Sequence, residues 1–400
     1  MKEIDEKIRY IREQLNIAPD VVAINNASWG PLSRAAASAA AEQYYGDYFG
    51  RRYAADSFIA TMLEILKEDR RELALFLNCS PDEIALTEST TTGMNICLWG
   101  FDFKEGDEII STTLENGACF AALNTLAARR GVKVRYADLG RVGENDAAKA
   151  IERLITPKTR MALLSHVFYM SGVTANAREI SELCRRRGVF SVFDGVQAAG
   201  TQKIDVKAIG CDAYCLARHK FLAGPDGAGA LYIREGSLEA VEPTFSGVFT
   251  DINHGMEGYH PMGTAARFDV STRPFPVQAA AAANMRWLRT EVGYDFVNSR
   301  SGPLRGKLFD MMETIDNLEL YSIRTYSDNA ALILFRLKNM EVEELARLLR
   351  DHKIYNRPVE HIYPADHGEP LSGVRISIAY WNKDEDLEII AKTLRQAAKL

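Results

Sequence analysis

The chain lacks several features that would place it in a specialised class of proteins. No apolar stretch approaches the roughly eighteen uninterrupted residues that a membrane-spanning helix needs, so the sequence predicts no such helix. Positive charge is not in excess: the formal net charge is -6 at pH 7, which argues against nucleic acid or an anionic lipid surface as a partner. No GxGxxG motif follows an early strand, and this absence argues against a nicotinamide-dependent dehydrogenase.

Cysteine is also scarce. The six cysteines stand at positions 79, 97, 119, 184, 211 and 215, and they include no CxxC pair of the kind that binds zinc. Their scattered spacing forms no disulfide framework either. Unpaired cysteines of this kind are typical of a reducing compartment, so we expect a cytoplasmic protein.

The chain does contain enough apolar sequence for a large core. Its 400 residues, 47% of them apolar and 26% charged, exceed what one core usually serves, so we expect a large domain and a smaller companion. The first residues, MKEIDEKIRYIREQL, carry isoleucines at helical spacing among charges, which predicts an amphipathic docking helix within residues 1–20. The large domain is predicted over residues 21–275 and the small domain over residues 276–400.

Short apolar runs alternate with helical patterns between about residue 75 and residue 235. Helical segments such as FAALNTLAARRG (120–131) and AREISELCRRRG (177–188) end at glycine, as helices often do. This alternation predicts an α/β fold with a mostly parallel sheet, whose ligands bind beyond the carboxyl ends of the strands. Seven strands are predicted in the sheet, over residues 83–87, 107–112, 133–139, 160–167, 189–195, 213–217 and 229–233.

After about residue 275 the pattern changes to that of an α+β region. A long helix is predicted from about residue 276 to residue 293. Beyond it, apolar runs at 329–337 and 374–380 predict strands, the segment 342–352 predicts a helix, and a closing helix is predicted after Asn382.

Two charged residues follow strands that are predicted to be buried. Lys220 lies just after the run 213–217, where removal from water would lower the pKa of the amine and free it as a nucleophile for imine formation. A surface lysine after a strand is the alternative. Asp194 ends the run SVFD, where a buried carboxylate needs a cationic partner such as a protonated pyridine nitrogen, unless it only caps a helix.

Two further polar turns follow strands. In ALTESTTTGMN, the helix N-terminus and the hydroxyls of Thr90 and Thr91 offer a phosphate seat, or only an N-cap. In LLSHVFYMSG, His166 is a candidate catalytic contact to a ring or a substrate, or a structural histidine. An amine, a carboxylate and a phosphate seat at one edge of one sheet together predict a site for pyridoxal 5'-phosphate (PLP).

The motifs around these residues occur in an order that resembles a known family. FDGVQAAG (193–200) is followed by HKFLAGPDGAGALY (219–232), and ALTESTTTGMNICLWGFDFKEGDEIIST (85–112) and GVRISIAYWNKDEDLE (373–388) complete the pattern. From about residue 20 onward the chain resembles the class V aminotransferases, the cysteine-desulfurase-like branch of the fold-type I PLP enzymes. Within that family, NNASWGPLS (25–33) is similar to cysteine/cystine C–S lyases and isopenicillin N epimerase-like proteins.

The resemblance implies roles for the residues that match the family's motifs. It makes Lys220 the lysine that forms a Schiff base with PLP, and Asp194 the partner of the pyridine nitrogen. The other implied PLP ligands are Gln197 for the ring hydroxyl oxygen and His219, Thr90 and Thr91 for the phosphate.

The resemblance also implies a second subunit and a substrate contact. Thr272, in RFDVSTRP, matches a threonine that reaches the phosphate of the neighbouring subunit, which implies a homodimer with shared active sites. Arg375 matches the arginine that binds the carboxylate of a small amino acid substrate, where a planar fork makes two charge-assisted hydrogen bonds.

Four positions depart from the family pattern. Ala217 and Arg218 stand where a hydroxyl residue and a glycine are common, so one phosphate ligand is missing. Asn116 takes the place of the aromatic or histidine that stacks on the cofactor ring, and an asparagine cannot stack like imidazole. Tyr169 replaces a frequent asparagine and is expected to bear on the ring oxygen or the substrate.

The position of the cysteines bears on the reaction. A persulfide-forming desulfurase needs a mobile cysteine well after the lysine, whereas all six cysteines precede Lys220 and none lies in the loop predicted at 353–370. We therefore expect β-elimination at a C–S bond of a cysteine- or cystine-like amino acid, with Lys220 removing the Cα proton. An aminotransferase, an epimerase and a non-catalytic PLP-fold binding protein remain open alternatives.

The predicted loop 353–370 is expected to shape substrate choice. It carries Arg357, His361 and His367. With His352 these histidines suggest a metal site, but their spacing fixes no ligand geometry, so no metal is predicted.

Overall fold

The computed structural model describes residues 2–48, 52–143, 145–248, 250–253, 256–270, 272–324, 331–362 and 371–400. The α-helices in these ranges are α1 (Lys2–Gln14), α2 (Arg34–Gln43), α3 (Ala55–Leu77), α4 (Thr90–Gly100), α5 (Gly117–Arg130), α6 (Ala147–Glu152), α7 (Ala177–Arg187), α8 (Val206–Ile209), α9 (Phe275–Trp287), α10 (Tyr294–Glu313), α11 (Val342–Asp351) and α12 (Asp384–Ala397). The strands are β1 (Val22–Ala23), β2 (Ile84–Thr87), β3 (Glu108–Thr112), β4 (Lys133–Ala137), β5 (Thr159–Ser165), β6 (Phe190–Asp194), β7 (Ala213–Ala217), β8 (Gly229–Ile233), β9 (Leu318–Leu320), β10 (Leu332–Leu337), β11 (Ile354–Tyr355), β12 (Arg357–Ile362) and β13 (Leu371–Ser377).

The large sheet has seven strands in the order β2-β8-β7-β6-β5-β3-β4. Neighbouring strands from β4 to β7 run parallel, and β8 runs antiparallel to both β7 and β2. Each of the seven predicted runs forms one of these strands. The predicted fold class, an α/β fold with a mostly parallel seven-stranded sheet, is confirmed.

Successive residues of the central strands point into two separate cores, as expected for a sheet that is covered on both faces. Leu164 and Phe193 lie in one cluster of buried side chains, whereas Leu163 and Val192 lie in the other. Helices α4 and α5 contribute to the second core, and α3 and α7 contribute to the first. Because apolar packing occupies both faces, polar groups are left to the turns just beyond the strands.

Local signals in the sequence fix the ends of the helices that flank the sheet. Gly131 and Gly188 follow α5 and α7 with φ of 69° and 66°, a left-handed conformation that glycine adopts without steric cost. At the start of α4, Ser89 Oγ accepts the N–H of Thr92. These caps place the N-terminus of α4 directly after β2.

The second sheet has four antiparallel strands in the order β12-β13-β10-β9, and α10, α11 and α12 pack on it. The segment 353–370, predicted to be a loop, instead contains the strands β11 and β12 as far as residue 362, and the remainder, including His367, lies outside the described residues. The short strand β1 pairs with β11, which joins the N-terminal segment to this region. Helix α9 packs against α2 and α3, and the domain boundary at residue 275 stays a prediction.

The amphipathic N-terminal helix is present as α1. It packs through Ile8 and Ile11, which are buried, while Arg12 pairs with Asp386 of α12 at 3.4 Å. Among the described residues, no helix combines the length and the apolar character that crossing a bilayer requires.

Candidate active site

A cavity of about 520 Å³ opens beyond the carboxyl ends of the strands of the large sheet, and β12 and β13 of the second sheet form its opposite wall. Each contributing turn follows a strand, so the topology alone gathers residues from distant parts of the chain. The cavity brings together nine of the eleven predicted site residues: Lys220, Asp194, Gln197, His219, Thr90, Thr91, Asn116, Tyr169 and Arg375.

Lys220 lies in the turn after β7, with its amine largely removed from water. The segment at Gly30 packs directly against its backbone, since a Cβ at residue 30 would overlap the carbonyl oxygen of Lys220. Burial lowers the pKa of Lys220 to about 8, Asp194 opposes this shift, and Arg375 adds to it. About a tenth of the amine is therefore neutral at pH 7, far more than for an ordinary lysine, and the neutral form attacks an aldehyde.

Asp194 is the last residue of β6, and only 2% of it is exposed. Its Oδ1 accepts the N–H of Val196 at 3.0 Å, and its Oδ2 accepts from Nδ2 of Asn116 at 3.0 Å. Burial raises the pKa of Asp194, while Val196, Lys220 and Asn116 act in the opposite direction. Each carboxylate oxygen keeps a second lone pair, which is available to a cationic partner.

The N-terminus of α4 offers a seat for an anion at one end of the cavity. Ser89 Oγ accepts the N–H of Thr92 at 3.1 Å. The N–H groups of Thr90 and Thr91 belong to the first turn of the helix, where no preceding carbonyl of the helix can accept them. The hydroxyl of Thr90 is buried and has no hydrogen-bond partner among the described residues. Donors of this kind suit a phosphate group.

Other buried polar atoms in the cavity also lack a partner among the described residues. Gln197 donates Nε2 to the carbonyl oxygen of Ala27 at 3.1 Å, which leaves its Oε1 unpaired. With the lysine amine, the buried carboxylate of Asp194 and the anion seat, these unpaired atoms fit PLP, whose aldehyde, ring nitrogen, hydroxyl and phosphate need such groups. The residues present can therefore hold this cofactor.

Two arginines of the second sheet line the opposite wall. Arg375 donates from Nη1 to the carbonyl oxygen of Tyr169 at 2.9 Å and from Nη2 to Ser28 Oγ at 2.8 Å, and its buried Nε has no partner among the described residues. Burial lowers the pKa of Arg375 to about 10, so the guanidinium is still charged at neutral pH. Arg357, predicted to lie in a loop that shapes substrate choice, instead lies in β12 directly opposite Arg375 of β13, and it lines the cavity. Two neighbouring positive groups favour an anionic substrate.

The structure does not bring His166 into this cavity. Its Nδ1 bonds to the hydroxyl of Tyr214 at 2.8 Å, its Nε2 lies 3.2 Å from Nε2 of Gln202, and the ring lines a separate cavity. Burial lowers the pKa of His166 to about 4, so the ring is neutral. The Tyr214 ring in turn packs against Gly195, where a Cβ would overlap it. His166 therefore contacts the turn after Asp194 through the Tyr214 ring, and it does not line the cavity that holds Lys220.

Thr272 and the histidines of the segment 352–370 were also considered as site residues in the sequence. Thr272 is exposed and does not line the cavity, so its predicted contact with a neighbouring subunit stays a prediction. Within the described ranges, no three His, Cys, Asp or Glu side chains gather as a metal ion would need.

Arg218, one of the departures from the family pattern, points away from the cavity. Both of its terminal nitrogens contact the carboxylate of Asp69 in α3, and both side chains are fully buried. Its Nε donates to the carbonyl oxygen of Ala228 at 3.3 Å. Arg218 therefore ties the Lys220 turn to α3 and does not replace the missing phosphate ligand.

Removing one member of this buried pair should be costly. Asp69→Asn leaves the Arg218 charge buried without a counter-charge, so we expect the free energy of unfolding to fall by about 3–5 kcal/mol, measured from urea unfolding. Glu64→Gln is the matched control on the same helix, because the Glu64 carboxylate is exposed and its pairing with Lys67 contributes little. Equal unfolding midpoints for the two variants would contradict the assigned role.

Comparisons with known proteins show the family to which this chain belongs. A family model, aminotransferase class V, matches residues 32–390. A curated relative from Methanothermobacter thermautotrophicus, named a probable cysteine desulfurase, is 25% identical over 97% of each chain.

Two solved structures are similar over nearly the whole chain, each at 25% identity. One is a cystine C–S lyase in complex with its reaction product, cysteine persulfide, with a TM-score of 0.84 over 96% of this chain and 99% of the lyase. The other is a lysine-to-alanine variant of the same lyase, with glycine covalently linked to its PLP cofactor. Its TM-score is 0.85 over 96% of this chain and 98% of the variant. Because the family model covers most of the chain, this protein belongs to the class V aminotransferase family and is a PLP-dependent enzyme.

Proposed function

We propose that this enzyme breaks the C–S bond of a cysteine- or cystine-like amino acid by β-elimination. The location of the thiols carries the proposal: all six cysteines lie in described residues, and none of them lines the cavity that holds Lys220 and Asp194. Five are buried, and Cys79, which is partly exposed, lies just after α3. A desulfurase transfers sulfur to a thiol of its own at the site, and no cysteine of this chain stands there to accept it.

Arg375 is the proposed ligand of the substrate α-carboxylate. Its guanidinium is held by Tyr169 and Ser28 before any substrate arrives, so little side-chain entropy is lost on binding. Arg357 adds a second positive charge beside it, which supports a substrate with a second carboxylate, as cystine has.

Lys220 and Asp194 are the proposed catalytic residues, each with a different role. PLP, when bound, supplies an electron sink for the negative charge that develops at the substrate Cα. Asp194 would keep the proton on the ring nitrogen, and the first turn of α4 would hold the phosphate. The Nζ of Lys220 removes the Cα proton, a role that suits an amine whose pKa of about 8 lies near the working pH.

The bonds that break are Cα–H and Cβ–S, and sulfur leaves with the bonding electron pair as a thiolate or persulfide. With one water consumed, the products besides the sulfur compound are a 2-oxoacid and ammonia. The solved lyase with cysteine persulfide as its product supports this outcome. The relative named a probable cysteine desulfurase supports chemistry at cysteine sulfur but does not favour the lyase over the desulfurase.

Product analysis separates these reactions. Purified enzyme with bound PLP is mixed with cystine or cysteine in the absence of any keto acid, and the products are separated by chromatography. Elimination gives a 2-oxoacid and ammonia in equal amounts, whereas loss of sulfur to an enzyme thiol gives alanine. Alanine as the main product would overturn the proposal, as would turnover that requires a keto acid acceptor or yields only the D-enantiomer.

The exposed position of Thr272 supports a homodimer in which this residue reaches the partner's phosphate seat. Four large apolar side chains in the preceding segment are also exposed, as expected for a surface that another chain covers: Phe245, Val248, Ile252 and Met256. Light scattering should give twice the chain mass, and a monomer that is fully active would contradict this arrangement.

A further inference from the structure

The turn between β3 and α5 is anchored to two strands of the large sheet. Glu115 is buried, with its Oε1 accepting from Thr112 Oγ1 at 2.7 Å and its Oε2 accepting from Ser165 Oγ at 2.6 Å. The N–H of Ser165 also donates to both carboxylate oxygens. The turn therefore has one position relative to β3 and β5, and the next residue, Asn116, is held at a fixed distance from β6.

Both ends of the Asn116 amide are already engaged. Its Oδ1 accepts the N–H groups of Ala118 and Cys119 at 2.9 and 3.1 Å, as the N-cap of α5. Because these partners are donors, the oxygen must face the helix, and the NH₂ group must face Asp194. The Nδ2–Oδ2 distance of 3.0 Å to Asp194 is that of a hydrogen bond to a carboxylate.

A donor at this place favours the ionised form of Asp194. A hydrogen bond to the charged form of an acid stabilises that form, and the Asp194 carboxyl lies in a site where burial acts against ionisation. Other groups act on Asp194 as well: Lys220 is the nearby cation, Glu115 is the nearby acid, and the weak acids around it are Cys119, Tyr214 and Cys215.

We propose that Asn116 is a positioning residue that holds Asp194 ionised and aimed at the ring nitrogen of PLP, in place of stacking on the ring. The inference rests on the proposed function, in which Asp194 is the partner of that nitrogen. It also accounts for an asparagine at a position where the family resemblance implies a stacking ring: the amide oxygen caps α5 and the amide nitrogen donates to Asp194, so neither end is free for the cofactor.

Two variants separate this role from helix capping. Asn116→Ser keeps an N-cap, because serine caps as well as asparagine does, but its short side chain cannot reach Asp194. Asn116→Asp also keeps the cap and replaces the donor by a second carboxylate. Asn176→Ser is the matched control, since Asn176 caps α7 through the N–H of Glu179 and is not part of the active-site cavity.

The readout is the pH dependence of PLP affinity for the apoprotein, followed by visible absorbance. Loss of a donor raises the pKa of Asp194, so protonation weakens cofactor binding at a higher pH. We expect the acid limb of the affinity profile to move up by about one pH unit in Asn116→Ser and further in Asn116→Asp. The profile of Asn176→Ser should superimpose on that of the wild type.

The variant Asp194→Asn distinguishes an error in the role of Asp194 from an error in the role of Asn116. If Asp194 causes the acid limb, the Asp194→Asn variant lacks the limb. Adding Asn116→Ser to that variant then leaves the pH dependence of PLP affinity unchanged. A wild-type profile in Asp194→Asn alone would overturn the assignment of Asp194 and with it the proposed function. An unshifted profile in Asn116→Ser, or a shift that persists in the Asp194→Asn background, would overturn the role of Asn116 alone.

Discussion

Replacing Lys220 by alanine is expected to lower the turnover of a cysteine-like amino acid by roughly 10²- to 10⁴-fold, the contribution typical of a positioned acid–base group. The structure leaves no substitute, because Lys220 is the one amine that lines the cavity among the described residues. Turnover is measured as 2-oxoacid formation from cystine with PLP in excess.

The control is Lys203→Ala, which removes an exposed lysine outside this cavity and should keep full activity. A small primary amine added to the Lys220→Ala enzyme should restore part of the rate by supplying the missing base. Full activity of Lys220→Ala without added amine would contradict the proposed mechanism.

Asp194→Asn is expected to lower kcat by roughly 10²- to 10³-fold, as the loss of one fixed electrostatic partner at a reacting centre does. Asparagine keeps the shape and can still accept the N–H of Val196, but its NH₂ group then replaces the oxygen that accepts from Asn116, so the change removes the negative charge together with this one hydrogen bond. The same charge raises the pKa of Lys220. In the apoprotein of this variant, the Lys220 pKa should therefore fall below its value of about 8.

Acylation of the apoprotein at a series of pH values, followed by mass spectrometry of the Lys220 peptide, measures that pKa. Because only the neutral amine reacts, a lower pKa moves the rise in labelling rate to lower pH. Asp205→Asn is the matched control: Asp205 caps α8 by accepting the N–H of Ala208, and asparagine caps equally well. An unchanged kcat together with an unchanged labelling profile in Asp194→Asn would remove Asp194 from the mechanism.

The large sheet could be predicted because its strands carry a local signal. A run such as AYCLA (213–217) is apolar throughout, since a parallel strand is buried on both faces, and it forms β7 with the predicted bounds. Lys220 and Asp194 could be placed for the same reason, as residues just beyond strands of one sheet gather at one edge.

Contacts between distant residues could not be predicted in this way. Asn116 and Asp194 are 78 positions apart, and Arg218 and Asp69 are 149 apart, so no local pattern pairs them. His166 follows β5 much as polar residues follow the neighbouring strands, yet its ring nitrogens are taken by Tyr214 and Gln202.

Arg357 was predicted to lie in a loop that shapes substrate choice, and its position opposite Arg375 was missed because a strand was interpreted as a loop. In RPVEHI, proline and three polar residues obscure the alternation that a half-buried strand usually shows. Only the pairing of β12 with β13 places Arg357 opposite Arg375 at the cavity. Which residues of two strands stand opposite each other depends on the fold and cannot be predicted from either segment alone.

Reduction with borohydride followed by peptide mapping tests the link between Lys220 and the cofactor most directly. Borohydride converts an imine between a lysine and PLP into a stable secondary amine that survives proteolysis. We expect one phosphopyridoxyl group per chain, on the peptide that contains Lys220, and none in the Lys220→Ala variant. A label on a different lysine, or an unlabelled Lys220 in protein that retains its cofactor, would contradict this account.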